Sequence, residues 1–378
     1  MATMSKFEYL ITISPLGLMY GSAGAFLSPE NLVGRSGSKF PPDAATVAGL
    51  FFNANRENQF IDHEQLQQNL VITGPFWANR DTPKQFYVPI PWYKILGDDD
   101  SDEWTLLEKK HNGQPIESGK SESSSDTQWC LGRHEWHRNN KDLQPEYSWQ
   151  LIDNWEFSAN QLHKNKGTTQ AIAKAPWEFV SFLHPKIRAD ERHVVEQDGL
   201  FLENAVQLDR QYCLVYLSNY EIPDGWYRFG GEGHLVELET QLLPEKHKIN
   251  LLLEQKIQHA CALITPGVWG SNKLSYRYPK HASFPRKGMK LLTDKAIPYR
   301  YRLGHNKKDR EQGEEKYKTG RLSRGRYAMP PGSVYVFKHP LNMNWWDFPD
   351  EWFPKEGFPL KHLGCSLCLP VKIQGVPQ

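Results

Sequence analysis

Apolar and polar residues alternate near the start of the chain. In residues 7–14, Phe7, Tyr9, Ile11 and Ile13 are interleaved with more polar neighbours, the two-residue period of a strand. Residues 34–52, GRSGSKFPPDAATVAGLFF, break that rhythm. Pro41 and Pro42 fix φ and disfavour helix in the residue before each, and Asp43 has an oxygen for the first orphan amides of a helix beginning at Ala44 or Ala45. Ala44, Val47, Ala48, Leu50, Phe51 and Phe52 then give that helix a broad apolar stripe, while Ala45, Ala48 and Gly49 permit close approach to a sheet. Further strands are expected at residues 70–77 and 86–90, and a short helix at 175–183. Residues 192–217 read as two or three strands turning at Asp198-Gly199 and Leu208-Asp209. A strand is expected at 234–239, a helix at 244–260 and the start of another strand at 263–266. Strand, helix and strands, repeated, suggest an α+β protein of two ferredoxin-like (RRM-like) domains with antiparallel sheets, 1–190 and 191–378. A disordered or hairpin insertion falls at about 97–150, where the acidic run DDDSDE and the serine-rich GKSESSSD lie.

Composition narrows the compartment and the partners. At 378 residues the chain is long enough for two cores, and no run of eighteen apolar residues or secretory leader is read in it. Five cysteines, an odd number, argue against a disulfide framework and for a reducing cytoplasm. The net charge of +1 conceals an asymmetry: residues 273–326 hold 17 Lys/Arg against 5 Asp/Glu, leaving 28 against 39 elsewhere. A chain so divided can hold a polyanion on one face and a basic partner on the other. The acidic run at 98–103 disfavours RNA, so it is expected in solvent or against a basic protein.

Thirteen tryptophans and sixteen tyrosines exceed what core filling usually needs. Several flank basic residues, as in Tyr276-Arg277-Tyr278 and Tyr299-Arg300-Tyr301-Arg302. In a strand the two tyrosines of the second run share one face and the two arginines the other, an arrangement suited to stacking bases and meeting phosphates. The plainer alternative is a half-buried strand with a solvated arginine face. Two glycine loops add anion-binding potential, because glycine adopts positive φ and lets backbone amides point outward. One holds Gly34 and Gly37 with Arg35 and Lys39. The other is GWYRFGGEGH at 225–234.

Five ordered segments carry a family resemblance. They are PLGLMYG with GRSGSKFPPDAATVAGLFF; ITGPFWANRDTPKQFYVPIPWYKI; DERHVVEQDGLFLENAVQLDRQYCLVYL; FGGEGHLVELE; and LITPGVW with the later PPGSVYVFK. Together they resemble the Cmr subunit-three family, the Cas-five-like RAMP proteins of type III-B CRISPR effector complexes. The chain departs from the family pattern with GSAGAF where an arginine-bearing loop is usual, and with His234 where arginine is common. The resemblance implies a subunit without an active site or cofactor that grips the crRNA 5′ tag. It also implies docking to the large Cas-ten-like subunit and the first Cas-seven-like backbone subunit, with target RNA met indirectly and no membrane involved. The RNA-binding candidates are Gly34, Arg35, Gly37, Lys39, Arg228, Gly230, Gly231, Gly233, His234, Arg300, Arg302, Arg321, Arg324 and Arg326.

Three other chemistries find weaker support in the sequence. Related RAMP proteins cut precursor RNA with a histidine acid-base site, for which His234 and then His305 are the candidates. A lone histidine beside a glycine loop is more often a hydrogen-bonding residue than a base. Zinc would need Cys365 and Cys368 to join Cys130, His134 and His137 across more than two hundred residues, and small buried cysteines of a last strand are the preferred reading, so no metal is expected. GGEGH is neither a dinucleotide fingerprint nor a P-loop.

Overall fold

Tyr9–Pro15 forms the alternating first strand, and both of its edges are occupied. It pairs antiparallel with Tyr212–Ser218 on one side and His234–Leu242 on the other. The computed structural model describes residues 6–20, 40–108, 131–167, 169–185, 200–271, 273–303, 321–356 and 358–377. Gly34, Arg35, Gly37, Lys39, His305 and Cys130 therefore lie outside the described residues. Around the first strand the sheet extends to eight strands, in the order Ile172–Ala173, Trp149–Leu151, Tyr87–Pro89, Ile72–Asn79, Tyr212–Ser218, Tyr9–Pro15, His234–Leu242 and Gly225–Phe229. A second sheet of four strands runs Lys290–Leu292, Val334–Val336, Ala260–Leu263 and Cys368–Pro370. All strand pairings among the described residues are antiparallel, so the chain is α+β with antiparallel sheets and few helices, as the pattern predicts.

Alternation decides which residues meet which layer. Ile11, Ile13, Ile72, Leu214, Tyr216, Val236 and Leu238 point to one face, where the helix Ala44–Asn58 covers them with Val47, Ala48, Phe51 and Ala54. Leu10, Phe76, Ala78, Cys213, Val215 and Leu217 point to the other face. They join a core that continues through Ile249 and Leu252 of the helix Lys248–Glu254 into Leu263, Val334 and Leu369 of the second sheet. The large sheet thus takes strands from both sides of residue 190, so the proposed division into 1–190 and 191–378 does not coincide with a sheet boundary. Periodicity identifies strands but not their partners, and the partners of Tyr9–Pro15 lie about two hundred residues later in the sequence.

Two local expectations change. Residues 175–183 are not a helix: Trp177–Pro185 is a strand paired with Leu200–Leu208 through nine positions, its Phe179, Val180 and Phe182 suiting a pleated ribbon once a partner is present. The helix expected over 244–260 is confined to Lys248–Glu254, because the apolar run that follows is claimed by the second sheet. The described parts of the insertion are hairpins, Lys94–Leu96 with Ser101–Glu103 and Thr105–Glu108 with His134–His137. Its acidic run is also tied to the protein itself. Asp102 accepts from the Asn140 amide at 2.7 Å, and Glu103 from the Ala159 amide at 2.6 Å.

Candidate nucleic-acid interface

The diproline stop places the helix start. Asp43 is extended, with φ −65° and ψ 158°, and its carbonyl accepts the first helical bond from the Thr46 amide at 2.8 Å. Its side chain makes no capping bond, contrary to expectation. The segment is held from below, where the buried Tyr216 hydroxyl donates to the Pro42 carbonyl at 2.6 Å. Burial raises the Tyr216 pKa well above its ordinary value, so the phenol remains a donor.

Beside this helix start lies the glycine hairpin. Gly225–Phe229 and His234–Leu242 pair through five positions, and the Gly233 amide closes the turn on the Gly230 carbonyl at 3.2 Å. Gly230 and Gly233 sit at φ +75° and +67°, where a side chain would be strained. The turn touches three other groups. A β-carbon at Gly230 would stand 3.9 Å from the Thr46 methyl, one at Gly231 3.3 Å from Arg302 Nε, and one at Gly233 3.8 Å from Arg228 Nη1. The structure thereby brings Arg228, Arg302, the three glycines and the helix start together. The Gly233 amide is spent on the turn itself, so the hairpin is less of an amide cradle than its glycine count suggests.

His234 takes the hydrogen-bonding role weighed against that of a base. Its Nε2 accepts the Tyr20 amide at 3.0 Å, and its ring stacks on Tyr20 with centroids 5.6 Å apart. This leaves the ring proton on Nδ1 and ties the nitrogen a general base would use to backbone.

The tyrosine–arginine run alternates as predicted, but its tyrosines belong to the core. Tyr299 and Tyr301 are 2% and 8% exposed with ring centroids 6.0 Å apart, and burial raises the pKa of both. Tyr299 meets the Cys365 thiol at 3.1 Å. They cannot stack on bases. Arg300 and Arg302 take the opposite face, Arg302 exposed and Arg300 half-buried, with Arg300 Nε donating to the Ser323 carbonyl at 3.0 Å. Arg321 lies in a two-residue strand opposite Arg302–Leu303.

Arg326 departs furthest from expectation. It is 3% exposed, ion-paired to Glu356, and donates to the Arg324 carbonyl at 3.1 Å. Glu356 also accepts from the Tyr301 hydroxyl at 3.2 Å. Arg326 therefore holds the ladder together from inside and offers no surface to RNA, whereas Arg324, two residues earlier, is exposed.

The exposed aromatics are ones sequence reasoning passed over. Trp226 is 70% exposed on the same strand face as Arg228, and Tyr327 is 57% exposed between Arg326 and Ala328. The signal was available in the runs WYR and RYA, whose alternation resembles that of the tyrosines chosen instead. Cys365 and Cys368 are buried, the latter beside Cys261, and burial raises the Cys368 thiol pKa well above its ordinary value. Among the described residues no group of three or more histidine, cysteine or acidic side chains could hold a metal ion, and no helix is long and apolar enough to cross a membrane.

Comparison with known proteins adds a family. The family model described as CRISPR-associated protein (Cas_Cmr3) matches residues 11–369. A chain in the cryo-EM structure of the Type III-B Cmr-beta bound to cognate target RNA is similar at 13% identity, covering 86% of each chain, with a TM-score of 0.43. A chain in the crystal structure of the Csm3-Csm4 subcomplex of the type III-A CRISPR-Cas interference complex is also 13% identical, covering 88% of this chain and 94% of that one, with a TM-score of 0.36. No curated protein matches.

Proposed function

This chain belongs to the Cas_Cmr3 family of CRISPR-associated proteins, and from that premise we propose that it is a non-catalytic RNA-binding subunit of a type III-B effector complex in the cytoplasm. In this reading it binds the crRNA 5′ tag and docks the large Cas-ten-like subunit and the first Cas-seven-like backbone subunit. The observation that carries the RNA half is the convergence of Arg302, Arg228 and the helix start on the Gly230–Gly233 turn. Guanidinium groups suit phosphates there, and Trp226 and Tyr327 add exposed ring faces on the strands Gly225–Phe229 and Arg326–Ala328. Sequence reading of a target is left to the guide RNA, while the protein holds backbone and splayed bases. Precursor cleavage by His234 is not proposed, because its Nε2 is engaged by the Tyr20 amide.

Co-purification tests the reading. The tagged chain, expressed with the rest of its complex, is expected to carry short RNAs sharing one 5′ end together with the large subunit. Affinity for that RNA is expected to fall steeply with salt, by a slope of about 0.7 per phosphate contacted on single strands. A monomer free of RNA and partners, or a flat salt response, refutes it.

A further inference from the structure

Glycine at 231 has a purpose that phosphate contact through its own amide does not explain. Unlike Gly230 and Gly233, Gly231 has no positive φ that excludes a side chain. An arginine packs tightly against its missing β-carbon position: Arg302 Nε lies 3.3 Å and Cδ 3.6 Å from where that carbon would be, so a β-carbon asks that side chain to give by a few tenths of an ångström. We propose that Gly231 is a positioning residue that seats the Arg302 side chain across the hairpin, so that Arg302 and Arg228 flank one phosphate-binding site for the RNA backbone.

Both sides of the seat are built to stay in place. The Arg302 strand is fixed just before it by a reciprocal pair with Ser323: the Tyr301 amide donates to Ser323 Oγ at 3.0 Å, and the Ser323 amide donates to the Tyr301 carbonyl at 2.8 Å. The hairpin is fixed by its pairing with the strand His234–Leu242, itself paired to the first strand, and by the approach of Gly230 to Thr46. Arg228 Nη1 stands 3.8 Å from where a Gly233 β-carbon would be, an ordinary contact, so only the Arg302 side chain sits in room that a glycine leaves. Two guanidinium groups at one turn meet the spread oxygens of a phosphodiester better than either alone. A substitution at Gly231 then acts on RNA through Arg302, without touching RNA itself.

This inference rests on the RNA-binding reading above, so its test has one arm that needs no RNA. In the full chain, the Arg302 Nε–Hε resonance is identified by its loss in Arg302→Lys. It is expected to shift or broaden in Gly231→Ala while the thermal midpoint stays within about 1 °C. An unmoved resonance overturns the seat. The second arm measures binding of a fluorescein-labelled single-stranded RNA oligonucleotide by anisotropy. Arg302→Ala is expected to weaken binding about tenfold, as for one charge-assisted contact. Gly231→Ala is expected to weaken it about three- to tenfold in the parent, but by less than about 1.5-fold when Arg302 is already alanine. Equal losses in both backgrounds overturn the proposal. If Arg302→Ala leaves affinity unchanged while the resonance still moves in Gly231→Ala, the seat stands. The phosphate assignment then falls together with Arg302's place in the RNA-binding reading.

Discussion

Replacing Glu356 with alanine isolates the buried charge on which the basic ladder rests. Glu356 and Arg326 are only 11% and 3% exposed, and two guanidinium nitrogens of Arg326, Nε and Nη2, have no hydrogen-bond partner among the described residues. The carboxylate is therefore the main compensation for that charge, helped by the Arg324 carbonyl at 3.1 Å. Removing it strands a guanidinium in the interior, a change that costs about 3–5 kcal/mol, and the Tyr301 hydroxyl loses an acceptor worth about 1 kcal/mol. The expected destabilisation is about 4 kcal/mol, read from urea denaturation followed by tryptophan fluorescence. Replacing both partners, Arg326→Met with Glu356→Leu, removes the charge together with its counter-charge and is expected to recover most of the loss. A single substitution costing less than about 1 kcal/mol, or a double variant no better than the single one, refutes this account.

Lys94 supplies a pH prediction. Burial holds its pKa down to about 7 from 10.5 despite Glu103 and Glu156, so between those values the unfolded chain binds more protons than the folded one and stability rises with pH. At about 1.4 kcal/mol per unit the rise amounts to about 4–5 kcal/mol. Lys94→Met is expected to lack it, and parallel wild-type and variant denaturation midpoints from about pH 6 to 10 would refute the assignment. Trp226→Ala is expected to weaken single-stranded RNA binding by about 1–3 kcal/mol without moving the thermal midpoint, checked by anisotropy and calorimetry. His234→Ala is expected to lower stability by about 1 kcal/mol through the unpaired Tyr20 amide and to leave RNA cleavage assays unchanged, whereas an activity lost with the ring would contradict its structural role.

Local pattern carried much of the architecture and little of the pairing. The first strand, the helix start after Pro42 and the strand at 234–239 were legible because period and punctuation are written in neighbouring residues. The strand Trp177–Pro185 was misread because its nine-position partner lies beyond the window in which periodicity is judged. The arginines show the same limit. Arg302 and Arg326 look alike in sequence, yet Arg326 is drawn inside by Glu356, thirty residues on, while Arg302 stays at the surface beside Gly231. The alternation of Tyr299 and Tyr301 correctly gave a shared face, but only packing tells whether that face meets solvent or core.

The two occupied edges of the first strand also dictate when the protein assembles. A ribosome releases residues 9–15 about two hundred residues before either neighbouring strand exists, so the strand waits through that stretch of synthesis with both edges bare. Its apolar residues and open hydrogen-bonding edges expose the chain to misassembly through that interval. A fragment ending near residue 190 would never leave that interval, because both strands that complete the sheet around residues 9–15 are missing from it.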